Sequence, residues 1–527
     1  MTDDRPSADA CTRRSFLGTA SGAMAALSTE RLDWSAFGAN LHAATASAIP
    51  APASPSLVAA RAAVTAARQT IVKLSRDVWA RPAVGLSEHE AMNMHIAVLE
   101  QAGFRITARE AAGHPTAFVA EWSQGTGGPK VGFLPEYDAL PGLGNVAEPV
   151  EKPTSGTTDG HGCGHNMLGA GCTGAALALR AMMIARKTAG TVRVYGCGAE
   201  ETEGAKVYMA RAGLFDDLDA ALAFHPAPVA VAGEAVCTAT RNMKVRFTGR
   251  TAHAANTPWL GRSAVHAAEL FAHGVNAMRE HVEPTARTHY IYEIAGLAPN
   301  IVPDVAQIWL TTREKTTELV EANLQWLKEI AQGAAMATQT KAEVDVFFGI
   351  AELVPNAPLA RRLFAHVSAT PLDWSAAEQS FAKACQKAMK LPEAGMATTP
   401  MPYLPQTNLG GSTDVGDISW NTPTAVFGWP TLPLGVSLHS WPVTACGGME
   451  IGDRGTLAAA TIMAATGFDV LTDAELRSAA RADFTKRLQG KRYVCGVPPE
   501  RKTPLGASAR TVKAPGEEGI AGTQAAS

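Results

Sequence analysis

This sequence has few cysteines and little net charge. Eight cysteines in 527 residues are too few for a framework of disulfides to hold the fold together. The chain carries 46 Lys and Arg against 49 Asp and Glu, a formal charge of −3. Binding along a phosphate backbone needs a clustered excess of basic residues, so nucleic acid is not an expected partner. With 46% apolar and 18% charged residues, the chain is expected to form large α/β cores rather than to be disordered.

Long apolar runs are also missing from the amino-terminal segment. The weakly apolar run 17–27, at about 1.5 Å per helical residue, covers about half of a ~30 Å hydrocarbon core, so no stable membrane span is expected. This run follows Arg13-Arg14 and precedes an alanine-rich stretch, 43–48, that offers signal-peptidase sites. We predict that residues 1–48 are a twin-arginine signal for export to the periplasm, followed by a linker at 49–57. The alternative is a basic tail.

The order of predicted elements divides the rest of the chain into a larger domain and an insertion. Over 58–240 short apolar strands alternate with helices, a pattern typical of a mostly parallel sheet covered on both faces. Over 241–352 the predicted order is βαββαβ, which describes a compact ferredoxin-like module. The first pattern resumes over 353–490. Residues 491–527 are rich in Pro, Gly, Ala and Ser and are predicted to be disordered.

Two clusters of metal-ligating residue types stand on predicted loops of the larger domain. Cys163 and His165 are two residues apart between glycines, which let the backbone turn tightly enough to aim both side chains at one ion. Glu200 and Glu201 follow a predicted strand, at the end where open α/β sheets bind ligands. Because successive side chains point in different directions, one carboxylate can ligate a metal while its neighbour faces the bound water. Alone, each cluster is weak evidence.

Two histidines extend this set. His225 ends another apolar strand, and His439 follows a Gly- and Pro-rich stretch far downstream. A single histidine at a strand end is more often a packed core residue than a ligand. Together, however, the thiol, carboxylate and imidazole groups form a set that metal chemistry explains.

The motifs around these residues carry a family resemblance. In their order along the chain they resemble the M20 family of metallo-amidohydrolases, most closely the branch of p-aminobenzoyl-glutamate hydrolase B subunits. Two departures are Gly198, where members often have proline, and Asn166, where the aminoacylase-like branch has aspartate. The motifs that carry the resemblance are Glu136–Pro141, His161–Asn166, Ala199–Glu201, Phe224–His225, Gly411–Asp417 and Leu438–Trp441.

The resemblance implies a metallo-exopeptidase-like catalytic domain with an inserted lid and dimerisation domain. It also implies two divalent ions per subunit, zinc or manganese, with one residue bridging them and open positions for water and substrate. Glu200 becomes the general base, and Asp138 orients a ligand histidine. The implied ligands are Cys163, His165, Glu201, His225 and His439.

The lid contributes further residues by the same resemblance. His253 belongs to a loop that generally reaches the active site of the partner subunit, where it stabilises the oxyanion of the tetrahedral intermediate. Asn300 and Arg313 align with residues that clamp a substrate carboxylate, a group that the guanidinium fork matches bidentately. The expected partners are a small amide with a free carboxylate and a second copy of the chain, or a homologous second subunit.

The expected activity is hydrolysis of the amide bond of N-acyl or N-aroyl amino acids by metal-activated water. Three alternatives stay open at the level of sequence. The chain could be a dipeptidase or carboxypeptidase that uses the same site, or a non-catalytic periplasmic binding protein with the same fold. Cys163 could also be a covalent nucleophile rather than a metal ligand.

Overall fold

The computed structural model describes residues 52–408 and 411–504. The predicted twin-arginine signal, 1–48, lies outside these ranges, so the signal and the periplasmic location stay predictions. The predicted linker, 49–57, overlaps the first helix, which begins at Pro55. The side chain of Ser54 accepts a hydrogen bond from the Leu57 N–H at 3.1 Å. A serine N-cap followed by proline in the first turn is a common helix start.

Helices and strands alternate along most of the chain. The helices are α1 (Pro55–Trp79), α2 (His89–Gln101), α3 (His165–Arg186), α4 (Ala205–Arg211), α5 (Ala264–Met278), α6 (Thr317–Thr338), α7 (Ala357–Ser368), α8 (Ala376–Ala388), α9 (Val415–Ser419), α10 (Trp441–Gly447), α11 (Glu450–Thr472) and α12 (Ala474–Leu488). The strands are β1 (Arg105–Arg109), β2 (Phe118–Gln124), β3 (Lys130–Phe133), β4 (Gly190–Gly196), β5 (Ala220–Ala227), β6 (Val231–Val236), β7 (Ala239–Thr248), β8 (Arg287–Ala295), β9 (Val305–Glu314), β10 (Lys341–Ile350), β11 (Leu404–Asn408) and β12 (Thr424–Pro430).

The larger domain is built on an eight-stranded sheet with the order β1-β2-β4-β3-β5-β12-β6-β11. Its centre, β4-β3-β5-β12, is parallel, whereas β1 and β2 join one side antiparallel and β6 pairs antiparallel with β12. The parallel pairs arise because α3 connects β3 to β4 and α4 connects β4 to β5, which returns each strand in the same direction. The predicted α/β fold with a mostly parallel central sheet is confirmed.

Helices α1, α3 and α11 pack against one another and contribute to the main core. Small residues on α3 permit this approach: a Cβ at Gly174 would lie 2.7 Å from Ile71 Cδ1 of α1. By length and composition α3 and α11 could each cross a membrane, but 78% of the apolar window of each is buried inside the protein. That burial is typical of helices that form the core of a protein.

The inserted domain is a four-stranded antiparallel sheet, in the order β10-β7-β9-β8, with a separate hydrophobic core to which α5 and α6 contribute. Its chain order, β7-α5-β8-β9-α6-β10, is the predicted βαββαβ arrangement. Strand β7 begins at Ala239 and β10 ends at Ile350, each two residues from a predicted boundary. Both connections to the larger domain therefore lie at the same end of the inserted sheet, where β7 starts and β10 stops.

The segment after α12 corrects one prediction. Residues 491–504 are ordered against the protein rather than disordered: Tyr493 Oη donates to Asp417 Oδ1 at 2.7 Å, and Thr503 Oγ1 donates to the Ala112 carbonyl at 3.0 Å. Val497 is buried beside Phe348 of β10. Composition misled here because a few anchoring side chains, and not the average content of Pro and Gly, decide whether a tail packs. Residues 505–527 lie outside the described residues.

Candidate active site

The predicted site residues gather at one edge of the central sheet. Asp138 follows β3, Glu200 and Glu201 follow β4, and His225 lies near the end of β5. These three strands are parallel neighbours, so their carboxyl ends meet at the same edge. This is where open α/β sheets place their ligand sites. His165 arrives at the same edge as the first residue of α3.

The loop that carries Cys163 and His165 depends on its glycines. Gly164 has φ of 79°, a left-handed conformation that glycine adopts at little cost. A Cβ on Gly160 would lie 2.2 Å from the Leu143 carbonyl oxygen, closer than any side chain tolerates. The loop therefore turns sharply into α3 and brings both side chains to the same side, as the spacing predicted.

The five implied ligands form two groups that share one residue. The ligand atoms of Cys163, His165 and His225 lie within 4.8 Å of one another, and so do those of Cys163, Glu201 and His439. The Sγ of Cys163 is 3.6 Å from His225 Nε2, and Glu201 Oε1 is 3.2 Å from His439 Nε2. If each group held one divalent ion, Cys163 would therefore be a residue common to both sites.

Hydrogen bonds fix which ring nitrogen of His165 and of His225 faces the site. His165 Nδ1 donates to Asp138 Oδ1 at 2.8 Å, and His225 Nδ1 donates to the Pro226 carbonyl at 2.8 Å. Carboxylate and carbonyl oxygens only accept, so the Nε2 lone pair of each ring is left free for a ligand. Asp138 Oδ2 also accepts from the Glu201 N–H at 2.9 Å, which ties the two ligand loops together.

Divalent ions fit these residues on three observations. Within the described part of the chain, His165 Nε2 and Glu201 Oε1 are buried and make no hydrogen bond of good geometry. Atoms of this kind are rare in folded proteins unless a water or an ion satisfies them. Burial raises the pKa of the Cys163 thiol, so the thiol keeps its proton until a cation displaces it. A thiolate with imidazoles suits zinc, and the carboxylate also admits manganese.

His439 comes from the most distant part of the sequence and has a strained backbone. Its φ is 60°, in the left-handed region, which costs a non-glycine residue about 1–3 kcal/mol. Its N–H donates to the Gly162 carbonyl at 2.8 Å, so the His439 loop is fastened directly to the Cys163 loop. The side chain of His439 is half exposed.

Glu200 belongs to neither of the two groups that contain Cys163. Its carboxylate instead lies within 4.8 Å of ligand atoms of His165 and Glu136. Burial, and then the neighbouring carboxylates of Glu136, Asp414 and Glu201, raise the pKa of Glu200 well above its usual value. A carboxylate that binds a proton more readily and lies beside a metal group is suited to act as a base.

The lid residues do not meet in one chain. His253 is exposed and forms a β-bridge with Ile301, which places it beside Asn300. Arg313 lies at the opposite end of the inserted sheet: it pairs with Thr240, whereas Val305 pairs with Thr248. Eight residues of extended strand span about 27 Å. A substrate of the size of one amino acid therefore cannot contact both Asn300 and Arg313 of the same chain.

Sequence reasoning missed a buried ion-pair cluster beside the site. Lys206 Nζ lies 2.7 Å from Glu136 Oε1 and 2.5 Å from Asp414 Oδ1, and at most 4% of each side chain is exposed. Glu136 and Asp414 stand in motifs that carry the family resemblance but were not assigned as site residues. The available signal was Lys206 itself, a lysine near the start of the mostly apolar helix α4.

The fold and the two metal-ligating groups define the class of protein, a metal-dependent amide hydrolase. The sequence profile of Peptidase family M20/M25/M40 matches residues 133–437, more than half of the chain. The chain belongs to this family, as the resemblance predicted. Because its relatives are hydrolases, the alternative of a non-catalytic binding protein is set aside.

Individual relatives support this assignment. The chain is 34% identical over 467 residues to the B subunit of the p-aminobenzoyl-glutamate hydrolase of Escherichia coli, and the match covers 83% of this chain and 96% of the relative. It is 28% identical over 438 residues to the mouse Xaa-Arg dipeptidase, with 80% and 90% covered. Among solved structures, a dinuclear metal-binding M20 peptidase from Bacillus subtilis superposes with a TM-score of 0.52 at 16% identity, covering 77% of this chain and 99% of that one. That likeness concerns the fold.

Proposed function

We propose that this protein hydrolyses the amide bond of N-acyl or N-aroyl amino acids of the aminobenzoyl-glutamate type, with two divalent ions and Glu200 as the general base. The observation that carries the proposal is the shared position of Cys163 in two ligand groups, with Glu200 beside them and outside both. The names of the relatives add support: one acts on p-aminobenzoyl-glutamate, and the structural neighbour binds two metal ions.

Each residue of the proposed site has its own role in the reaction. The bound ions would polarise the amide carbonyl and make water more acidic. Glu200 takes the proton of the attacking water and passes it to the departing amine, so one carboxylate serves as base and then as acid. Asp138 holds His165 in orientation from behind. His253 donates to the oxyanion of the tetrahedral intermediate.

Arg313 binds the substrate carboxylate. Its Nη1 donates to Ser412 Oγ at 3.1 Å, and within the described ranges no carboxylate lies at ion-pair distance from it. Burial lowers the pKa of its guanidinium, as expected for a cation that has lost water without gaining an anion. A carboxylate of the substrate would supply the missing charge. This feature favours amides whose amine half is an amino acid.

The separation of Asn300 from Arg313 supports a composite active site. We infer that the metal groups, Glu200 and Arg313 come from one chain, while His253 and Asn300 come from the lid of a second. The second chain is another copy of this protein or a homologous subunit, since the Escherichia coli relative is itself named as a subunit.

A substrate comparison tests the proposal directly. The full chain, reconstituted with zinc or manganese, is incubated with N-aroyl-glutamates, N-acyl amino acids and dipeptides, and the released amine is quantified. We expect the highest kcat/KM for the aroyl and acyl amino acids. A clear preference for dipeptides would favour the dipeptidase alternative, for which the mouse relative is the precedent. Release from none of them would refute the proposal.

Cys163→Ala should remove both metal ions, because the thiolate belongs to both groups. His225→Ala and His439→Ala should each remove one ion, since each histidine belongs to a single group. Elemental analysis of purified protein measures the stoichiometry, with Cys172→Ala, a buried cysteine on α3 outside both groups, as the matched control. Two ions retained by Cys163→Ala would exclude the shared position. Inactivation by thiol alkylation that proceeds equally with and without metal would instead support the covalent alternative.

Arg313→Met should raise KM for carboxylate-bearing substrates by about 10- to 100-fold, the size expected for loss of a charge-assisted hydrogen bond. The same substrates with the carboxylate converted to a carboxamide should be affected little. Arg287→Met is the matched control, because Arg287 pairs directly with Arg313 on the neighbouring strand. If Arg313→Met raised KM equally for the carboxylate and the carboxamide substrates, Arg313 would not bind the substrate carboxylate.

A further inference from the structure

Lys206 is buried completely in the larger domain, and the metal proposal above gives it no role. Its Nζ contacts Glu136 and Asp414, and its backbone N–H donates to Asp414 Oδ2 at 3.2 Å, so Asp414 holds both ends of the residue. Burial alone would lower the pKa of Lys206, but the two carboxylates reverse that effect and keep the ammonium charged. A buried ion cluster of this kind adds little net stability compared with apolar residues of the same volume. Its presence beside the site therefore calls for another explanation.

Glu136 connects Lys206 to the metal ligands. One carboxylate oxygen, Oε1, contacts Lys206 at 2.7 Å, while the other, Oε2, lies 3.3 Å from His165 Nε2. That nitrogen is the one left free for a metal ion. Glu136, His165 and Glu200 also form a third group whose ligand atoms lie within 4.8 Å of one another. The site thus contains a second possible set of metal ligands. An ion bound by this set would occupy Glu200, the proposed general base, and would bind His165 without Cys163.

A free Glu136 would damage the site in a definite way. A carboxylate that joins a catalytic ion as an extra ligand fills the open position that water and substrate need. If it also drew in Glu200, the base would no longer be available for proton transfer. Lys206 balances the charge of Glu136 by contacting Oε1, whereas the other oxygen, Oε2, is the one paired with His165, so only one carboxylate oxygen contacts a metal ligand.

We propose that Lys206 is a positioning residue that keeps Glu136 from becoming a metal ligand, so that His165 stays with Cys163 and His225 and Glu200 stays free. Asp414 anchors Lys206 from the loop that also carries Ser412, the hydroxyl contact of Arg313. The inference rests on the proposed two-ion site. It adds a residue that acts through Glu136 and does not itself touch the substrate.

The test measures metal retention alongside catalysis. Lys206→Met should release Glu136, so the zinc-loaded variant should lose metal to EDTA about tenfold more slowly and kcat should fall about 10- to 100-fold, as for other residues behind a metal site. Adding Glu136→Gln to Lys206→Met should restore both rates toward wild type, because an amide oxygen is a poor replacement for a carboxylate ligand. Arg211→Met, on the same helix but directed at the carboxyl-terminal segment, is the control.

Each outcome decides the question. A double variant no better than Lys206→Met would show a merely structural role and overturn the inference. If circular dichroism shows that Lys206→Met is unfolded, the charge-balanced pair Lys206→Met with Asp414→Asn takes its place. Glu136→Gln alone keeps the Lys206–Asp414 contact and should retain both ions, and loss of an ion there would show that Glu136 is a ligand. If the wild-type protein does not bind two ions, the proposed function itself is refuted. If the wild-type protein binds two ions but Lys206→Met changes neither metal loss nor kcat, only the inference about Lys206 is overturned.

Discussion

Glu200→Gln should lower kcat by about 10²–10⁴-fold, the usual contribution of a general base, and should leave both metal ions in place. Glutamine has nearly the same shape but cannot accept the proton of water. Glu200 stands outside both groups that contain Cys163, so the ligands are untouched. Steady-state rates with an N-aroyl-glutamate measure the loss, elemental analysis measures the metal, and circular dichroism checks the fold.

The neighbouring residue provides the contrast for this experiment. Glu201→Gln should lose metal and activity together, because Glu201 Oε1 lies 3.2 Å from His439 Nε2 within one ligand group. Two adjacent glutamates therefore give opposite results in metal content. A Glu200→Gln protein that turns over at the wild-type rate, or that lacks one ion, would refute the role given to Glu200.

Much of the fold was predictable because its signals are local. Hydrophobic periodicity in β7, α5 and the elements that follow predicted the inserted βαββαβ domain, and runs of apolar residues predicted the central strands. The Cys163–His165 loop was predictable for the same reason, since its glycines and its spacing are adjacent in sequence. The ordered segment 491–504 was not, because its contacts are made to residues far away along the chain, such as Asp417.

The Lys206 cluster shows the same limit within the site. Lys206 and Asp414 are 208 residues apart, and nothing in either local sequence indicates that they touch. Motifs suggested which residues bind metal, but only the folded chain shows that Cys163 is common to two groups. The relation of Asn300 to Arg313 was likewise hidden: thirteen positions look close in sequence, but a strand extends about 3.4 Å per residue.

Mixing two inactive variants should restore activity if the active site is composite. Glu200→Gln removes the base, and His253→Ala removes the lid histidine, so each variant alone should be nearly inactive. In a mixed dimer, one site combines intact Glu200 of the second variant with intact His253 of the first. Random exchange of a symmetric dimer makes about half of the molecules mixed, with one good site in two. The unseparated mixture should therefore regain about a quarter of wild-type activity, and the isolated mixed dimers about half.

The positions of these residues in the inserted sheet are the basis of this prediction. His253 and Asn300 lie at the end of the inserted sheet far from its two connections, while Arg313 lies near those connections. The two variants, carrying different affinity tags, are unfolded in denaturant, refolded together and reloaded with metal. Dimers that carry both tags are then isolated, and their activity is compared with that of each variant treated alone.

The matched control pairs Glu200→Gln with Arg313→Met. Both residues serve the same site from the same chain in this arrangement, so each site of the mixed dimer keeps one defect and no activity above that of Arg313→Met alone should return. Doubly tagged dimers of Glu200→Gln and His253→Ala that stay inactive would mean that His253 serves its own chain's site and that the second subunit completes nothing. If activity returned in the mixed dimer of Glu200→Gln and Arg313→Met, Arg313 would instead serve the active site of the partner chain, as His253 does.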